Sequence, residues 1–181
     1  MEFQRLEIPD LVLIKPKVFG DSRGFFFESW EARKFAAAGV DVEFVQDNCS
    51  RSVQGTLRGL HYQIQQPQGK LVRVTNGEVY DVAVDIRRNS ASFGRWVSTI
   101  LSADNKHQLW IPPGFAHGFY VLSESAEFFY KCTDYYNPQH ERTLRWDDAD
   151  LGIAWPLGGA IPLLSAKDQE GKSLLDAECF P

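Results

Sequence analysis

The chain has 181 residues, 44% hydrophobic and 13% aromatic, so residues 1–181 read as one domain whose core needs no disulfide or metal to hold it together. A formal net charge of -5 excludes the broad basic field of a nucleic-acid-binding protein, yet leaves room for a locally basic pocket that takes a small anion. Three cysteines (Cys49, Cys132, Cys179) without a Cys-x-x-Cys pair exclude a disulfide framework or zinc knuckle, and no apolar run approaches the roughly 20 residues of a membrane span.

Short runs of Val, Ile, Phe and Tyr between turn residues dominate the chain. The first strand candidates are residues 11–14, 25–29 and 42–45. Between the last two, residues 30–38 read as a short helix stopped by Gly39, since glycine readily takes the left-handed cap conformation. Residues 70–86 carry the strongest β signal. Their β-branched arms flank Asn76-Gly77, a pair suited to the two positive-φ positions of a type I′ turn, and so predict a hairpin. Residues 96–101, 119–122 and 128–133 continue the strands, and 165–176 form a weaker helical segment interrupted by Gly171. Many short strands with few helices predict a mainly β sandwich, jelly roll or barrel. A cupin-type double-sheet roll would offer a concave interior for a small ligand. No basic segment leads into an apolar stretch at the N-terminus, so a cytoplasmic protein is expected.

Four histidines occur, and two have suggestive neighbours. His61 follows Arg58-Gly-Leu, and His117 follows the rigid turn Pro112-Pro-Gly. Cupin-like barrels often hold a metal through His-x-His and a carboxylate, but this chain has no His-x-His; a metal would require His61 and His117 to converge with an acid. Acid–base chemistry fits better. A neutral imidazole can take a proton next to a ketone, and Lys70 or Arg58 can stabilise the enolate. Inversion at carbon needs an acid on the opposite face. Tyrosine suits that role, and the run Glu127-Phe-Phe-Tyr-Lys-Cys-Thr-Asp-Tyr-Tyr136 supplies three, though such a run also suits core packing. Arg23, in a glycine-flanked turn, could meet a phosphate bidentately. Neither Gly-x-Gly-x-x-Gly nor a P-loop is present, so no nicotinamide or ATP site is indicated.

Taken in order, Asp21-Ser-Arg-Gly-Phe-Phe-Phe-Glu28, Gln46-Asp-Asn48, Leu57-Arg-Gly-Leu-His-Tyr-Gln63, Gln68-Gly-Lys-Leu-Val-Arg73, Gly77-Glu-Val-Tyr-Asp-Val-Ala-Val-Asp85, Trp110-Ile-Pro-Pro-Gly-Phe-Ala-His-Gly-Phe119, Thr133-Asp-Tyr-Tyr136 and Leu164-Ser-Ala-Lys-Asp168 resemble the dTDP-4-dehydrorhamnose 3,5-epimerase family. The resemblance implies a cupin-type roll, a homodimer with N-terminal strand exchange, and neither metal nor organic cofactor. It implies a dTDP-keto-deoxysugar substrate on the way to dTDP-L-rhamnose and cell-surface polysaccharide. By motif position it makes His61 the base, Asp168 its orienting partner, Tyr130 the acid and Lys70 the enolate stabiliser. It assigns Arg23, Glu28 and Arg58 to the diphosphate end, with Phe26, Gln46, Asp47 and Asn48 nearby. Tyr136 would stack on thymine, and His117, Glu141 and Lys167 would complete the pocket; Arg23 and Glu28 would serve the partner's site. Relatives that invert only carbon 3 or only carbon 5 share the same His, Lys and Tyr, so a mono-epimerase is the main alternative. A metal-dependent cupin enzyme and a non-catalytic sugar-nucleotide module are the others.

Overall fold

In the computed structural model, which describes residues 1–181, the short hydrophobic runs become thirteen strands and two short helices. In chain order they are β1 (Glu2–Arg5), β2 (Val12–Lys15), β3 (Val18–Asp21), β4 (Gly24–Phe27), α1 (Ala32–Ala37), β5 (Gln46–Val53), β6 (Leu57–Gln63), β7 (Lys70–Asn76), β8 (Glu78–Asp85), β9 (Trp96–Ser102), β10 (Gln108–Ile111), β11 (Phe115–Val121), β12 (Ser125–Cys132), β13 (Glu141–Thr143) and α2 (Ala166–Gln169). The order β1-β2-β10-β7-β12-β5 forms one sheet and β13-β6-β11-β8-β9 a second; β3 and β4 make a separate hairpin. Every strand pairing is antiparallel, and the two large sheets face each other as the expected cupin-like jelly roll. No helix is long and apolar enough to cross a membrane.

Between the sheets, Val72, Val74, Leu109, Ile111 and Phe128 of the first pack against Val79, Ala83, Leu101, Phe119 and Val121 of the second. Fully burying a side chain of this kind contributes about 1.5–3 kcal/mol. The outer face of the first sheet is covered by Phe35 of α1 and by Val40, which meet Val12, Ile14, Leu71 and Trp110. On the second, Leu144, Leu151 and Ala177 cover Leu60, Tyr62, Val82, Val84 and Ala116. β8 is therefore buried on both faces, which explains its nearly unbroken valine-rich sequence.

Three expectations change. Residues 70–86 are not a hairpin, because β7 lies between β10 and β12 in one sheet and β8 between β11 and β9 in the other. Only Gly77 takes a positive φ, +75°, where a type I′ turn needs two, and Asn76 instead stands opposite Glu127 of β12. The chain crosses between sheets at this glycine, where a Cβ would lie 2.0 Å from the Ser125 carbonyl oxygen. Residues 42–45 form no strand, because Val42 and Phe44 join the cover over the outer face beside Trp30 and Phe35. Pairing begins at Gln46 instead, in a strand of mostly polar residues. The segment 165–176 shrinks to α2, a single turn opened by a Ser165–Asp168 capping box. The helix expected over 30–38 forms as α1, and Gly39 follows it at φ +87°.

Candidate active site

Alternate residues of a strand share a face, and toward one end of the sandwich interior the inward positions change from apolar to reactive. The β7 series Val74, Val72 ends in Lys70, and the β12 series Ala126, Phe128 leads to Tyr130. β11 sets His117 between Phe115 and Phe119, and β8 sets Asp81 between Val79 and Ala83. Lys70, Tyr130 and His117, with Gln46 and Asn48 of β5, line a cavity of about 330 Å³, a volume suited to a small ligand. Phe119 and Phe128 also line it, one from each sheet, stacked with ring centres 4.2 Å apart.

β6 contributes two residues through an irregularity. His61 pairs with His117 but Arg58 with Phe119, so β6 carries one extra residue across this step. In a regular strand, residues three apart face opposite sides; with the bulge, Arg58 and His61 both line the cavity. Glycines permit it. A Cβ on Gly59, whose φ is +127°, would lie 2.5 Å from the Gly118 Cα.

His61 Nε2 lies 2.8 Å from Asp168 Oδ1, although the oxygen sits off the ring N–H direction and the hydrogen bond is poorly aligned. Catalytic hydrogen bonds often tighten only when substrate binds. Nδ1 is then the nitrogen left for the cavity. Asp168 is itself fixed by the Gly59 N–H, 3.0 Å from Oδ1, and by the Ser165 N–H and hydroxyl at 3.1 and 2.6 Å from Oδ2. Burial works to raise its pKa, but these contacts and His61 outweigh it and hold the carboxyl well below the usual range. For His61, burial pushes the imidazole pKa down against the opposing pull of Asp168. The result is a neutral imidazole held beside a fixed anion, as a general base requires.

A second pair lies next to it. His117 Nε2 meets Asp81 Oδ2 at 2.9 Å and Oδ1 at 3.1 Å, with Asp81 fully buried. Asp81 was not among the residues expected from sequence, because it sits inside a valine-rich strand. Its shared parity with Val79 and Ala83 was the available signal. No group of three His, Cys, Asp or Glu side chains gathers as a metal-ligating cluster; the two imidazoles each face their own aspartate.

Burial lowers the Lys70 pKa, and its Nζ stands 5.9 Å from the Tyr130 ring centre. Burial, aided by Cys132 and Glu141, pushes the Tyr130 hydroxyl up to about 12, so it stays protonated at neutral pH. At the cavity mouth the Tyr136 hydroxyl donates to Glu141 Oε2 and Lys167 Nζ to Oε1, both at 2.8 Å. Burial works to raise the Glu141 pKa, but these two partners outweigh it and keep the carboxylate ionised. Arg58, at the rim, donates through Nε to Ser52 Oγ at 2.9 Å.

The fold thus gathers His61, Lys70, Tyr130, Asp168, Arg58, Gln46, Asn48, His117, Tyr136, Glu141 and Lys167 in one place. Four expected residues lie elsewhere in the chain. Asp47 alternates with Gln46 and Asn48 along β5 and pairs with Lys131. Arg23, in the β3–β4 turn, is ion-paired with Asp21; Phe26 is exposed on β4, and Glu28 pairs with Lys34. Gln63, which no motif argument had singled out beyond its place in the run, also lines the cavity.

The family profile described as dTDP-4-dehydrorhamnose 3,5-epimerase matches residues 5–176. The dTDP-4-dehydrorhamnose 3,5-epimerase of Pseudomonas aeruginosa is 63% identical over 182 residues, covering 100% of both chains. A crystal structure of the Legionella pneumophila epimerase in complex with dTDP-4-keto-L-rhamnose superposes with a TM-score of 0.95 at 54% identity, over 98% of this chain and 94% of that one. A 3'-monoepimerase from Streptomyces bikiniensis, solved with dTDP-quinovose, gives a TM-score of 0.88 at 34% identity, over 94% and 86% of the two chains. With this fold, these residues at the cavity and identity of this extent along its whole length, the chain belongs to the dTDP-4-dehydrorhamnose 3,5-epimerase family.

Proposed function

We propose that the protein inverts carbons 3 and 5 of dTDP-4-dehydro-6-deoxy-D-glucose to give dTDP-4-dehydro-L-rhamnose, a step of dTDP-L-rhamnose biosynthesis. The observation that carries this reading is the placement of His61 on one sheet and Tyr130 on the facing one, with Lys70 beside Tyr130. Facing sheets stand about 10 Å apart, which leaves room for a sugar ring with one group on each face.

The chemistry follows. Carbons 3 and 5 both flank the ketone at carbon 4. His61 removes the proton from one of them, and the C–H electron pair moves into an enolate whose oxygen takes the negative charge. The Lys70 ammonium stabilises that oxygen. Tyr130 donates its hydroxyl proton to the same carbon from the other face, and the phenolate then regains a proton from solvent. Asp168 stabilises the imidazolium until His61 gives up its proton to solvent, which returns both residues to their starting states for the second carbon. Arg58 meets the diphosphate, Tyr136 stacks on the base, His117, Glu141 and Lys167 complete the pocket, and no cofactor takes part.

Incubation with the substrate in heavy water, followed by NMR, tests the reaction directly. Deuterium at both carbons 3 and 5 with conversion to the L-sugar is the expected result. Deuterium at one carbon alone would establish the mono-epimerase reading, which the likeness to the Streptomyces enzyme keeps in view. Binding without exchange would leave only a nucleotide-sugar module.

The working unit in this proposal is a homodimer. The β3–β4 hairpin exposes Phe25 and Phe26 at 61% and 70%, an apolar ribbon that calls for cover. Laid across a second copy, it carries Arg23, Phe26 and Glu28 to the partner's site. Sedimentation equilibrium is expected to give twice the chain mass, and a monomer at micromolar concentration would reject this arrangement. The free thiols of Cys49, Cys132 and Cys179 fit a reducing compartment, here the cytoplasm.

A further inference from the structure

Tyr136 lies between β12 and β13, in a stretch with no sheet ladder to satisfy its backbone. Backbone N–H and C=O groups need partners wherever they are removed from water, and here side-chain amides provide them. Gln63, at the end of β6 and only 4% exposed, donates from Nε2 to the Tyr135 carbonyl at 3.2 Å and to the Gln66 carbonyl at 2.8 Å. Its Oε1 accepts the Asn137 N–H at 2.8 Å. Gln46 Oε1 accepts the N–H of Tyr136 itself at 2.9 Å, while its Nε2 donates to Asn48 Oδ1 at 3.1 Å. Two further bonds, Gln68 Nε2 to the Asp134 carbonyl and Asn137 Nδ2 to Gln66 Oε1, both 2.8 Å, tie the stretch to the loop after β6.

We infer that Gln63, seconded by Gln46, is a positioning residue that sets the Tyr136 ring at the cavity mouth by holding the peptide groups on both sides of it. Only a carboxamide suits the Gln63 position. Two carbonyls require a donor on one arm and an amide N–H requires an acceptor on the other, so a carboxylate or thioether of similar length fails at one end or both. The orientation of the amide is fixed by the same partners. The Glu141 carboxylate holds the far end of the ring through its hydroxyl. Tyr136 is thus pinned at backbone and hydroxyl, presenting a flat face without the entropy cost of ordering it on binding. The inference rests on Tyr136 contacting the nucleotide base, as in the proposed function.

The test is a double-mutant cycle read by calorimetric titration with dTDP and by steady-state kinetics. Tyr136→Ala is expected to weaken dTDP binding about tenfold or more, since stacking on a base is lost. Gln63→Met should weaken it about fivefold to tenfold, as expected when a ring no longer held in place must be ordered on binding, and raise KM by more than it lowers kcat. The double variant should bind dTDP no worse than Tyr136→Ala alone, because Gln63 acts through that ring. Gln63→Glu should bind poorly at about pH 8 and recover toward about pH 5, where a protonated carboxyl again donates to the Tyr135 carbonyl; it supplies the test should Gln63→Met unfold in a melting control. Wild-type affinity in Gln63→Met beside a weakened Tyr136→Ala overturns the inference, as do fully additive losses in the double variant or pH-independent binding in Gln63→Glu. Wild-type affinity in Tyr136→Ala instead removes the base-stacking reading on which the inference stands.

Discussion

Replacing His61 with alanine is expected to stop both turnover and the wash-in of solvent deuterium, with kcat falling about 10²–10⁴-fold, while dTDP still binds. Base removal leaves the C–H bond unbroken, so no enolate forms and neither exchange nor inversion follows. Arg58 and Tyr136, which hold the nucleotide in the proposed mechanism, come from other positions and remain. Titration calorimetry and NMR in heavy water separate the two effects; full exchange in this variant would remove His61 from the mechanism. The wild-type pH profile carries the same argument. The base works only when neutral, and burial lowers its pKa from 6.5, so kcat/KM should hold as pH drops past 6.5 and decline only on crossing the lowered value. An acidic limb above 6.5 would contradict the assignment.

Tyr130→Phe removes one oxygen and is expected to divide the reaction. His61, Asp168 and Lys70 are untouched, so proton abstraction and exchange at the original face continue. Net inversion should fall about 10²–10⁴-fold for want of the acid on the facing sheet. The NMR signature is labelled substrate of unchanged configuration. Equal loss of exchange in Tyr130→Phe and His61→Ala would mean that the hydroxyl also supports enolate formation, and the division of labour would be wrong. The ring of Tyr130 packs on the main core, and phenylalanine preserves that packing, so the fold is expected to survive.

How much of this could be read from the residues alone depended on what each strand faces. β9 and β12 were legible because branched and aromatic side chains fill one of their faces with core. β5 was not, since its inward face is Gln46, Asn48, Ser50 and Ser52, all polar, and the first three line the cavity. The Asn76-Gly77 hairpin failed because turn chemistry is local while the choice of sheet is not: β7 and β8 each find better partners in distant strands. The motif residues His61, Lys70, Tyr130 and Asp168 lie together in the fold. Their geometry could not be foreseen, because the extra residue in β6 reverses the side on which Arg58 would otherwise emerge. Asp81 and Gln63 were hidden for a related reason. One resembles a strand interruption and the other the tail of a motif, until the partners of each are known.

The Phe119–Phe128 stack beneath the cavity acts as a spacer as well as core. These rings come from the same two strands that present His117 and Tyr130, and they stack on each other across the space between the sheets at that level. In the proposed mechanism base and acid ride on opposite walls, so this aromatic pair, bridging the same two sheets, bears on the gap a sugar ring must fill. Ordinary core packing here is a dimension of the reaction. A smaller residue at Phe128 is expected to let the walls settle toward each other, and the proposed acid Tyr130 to lose its reach before the protein loses its fold, seen as slower inversion at an unchanged melting temperature.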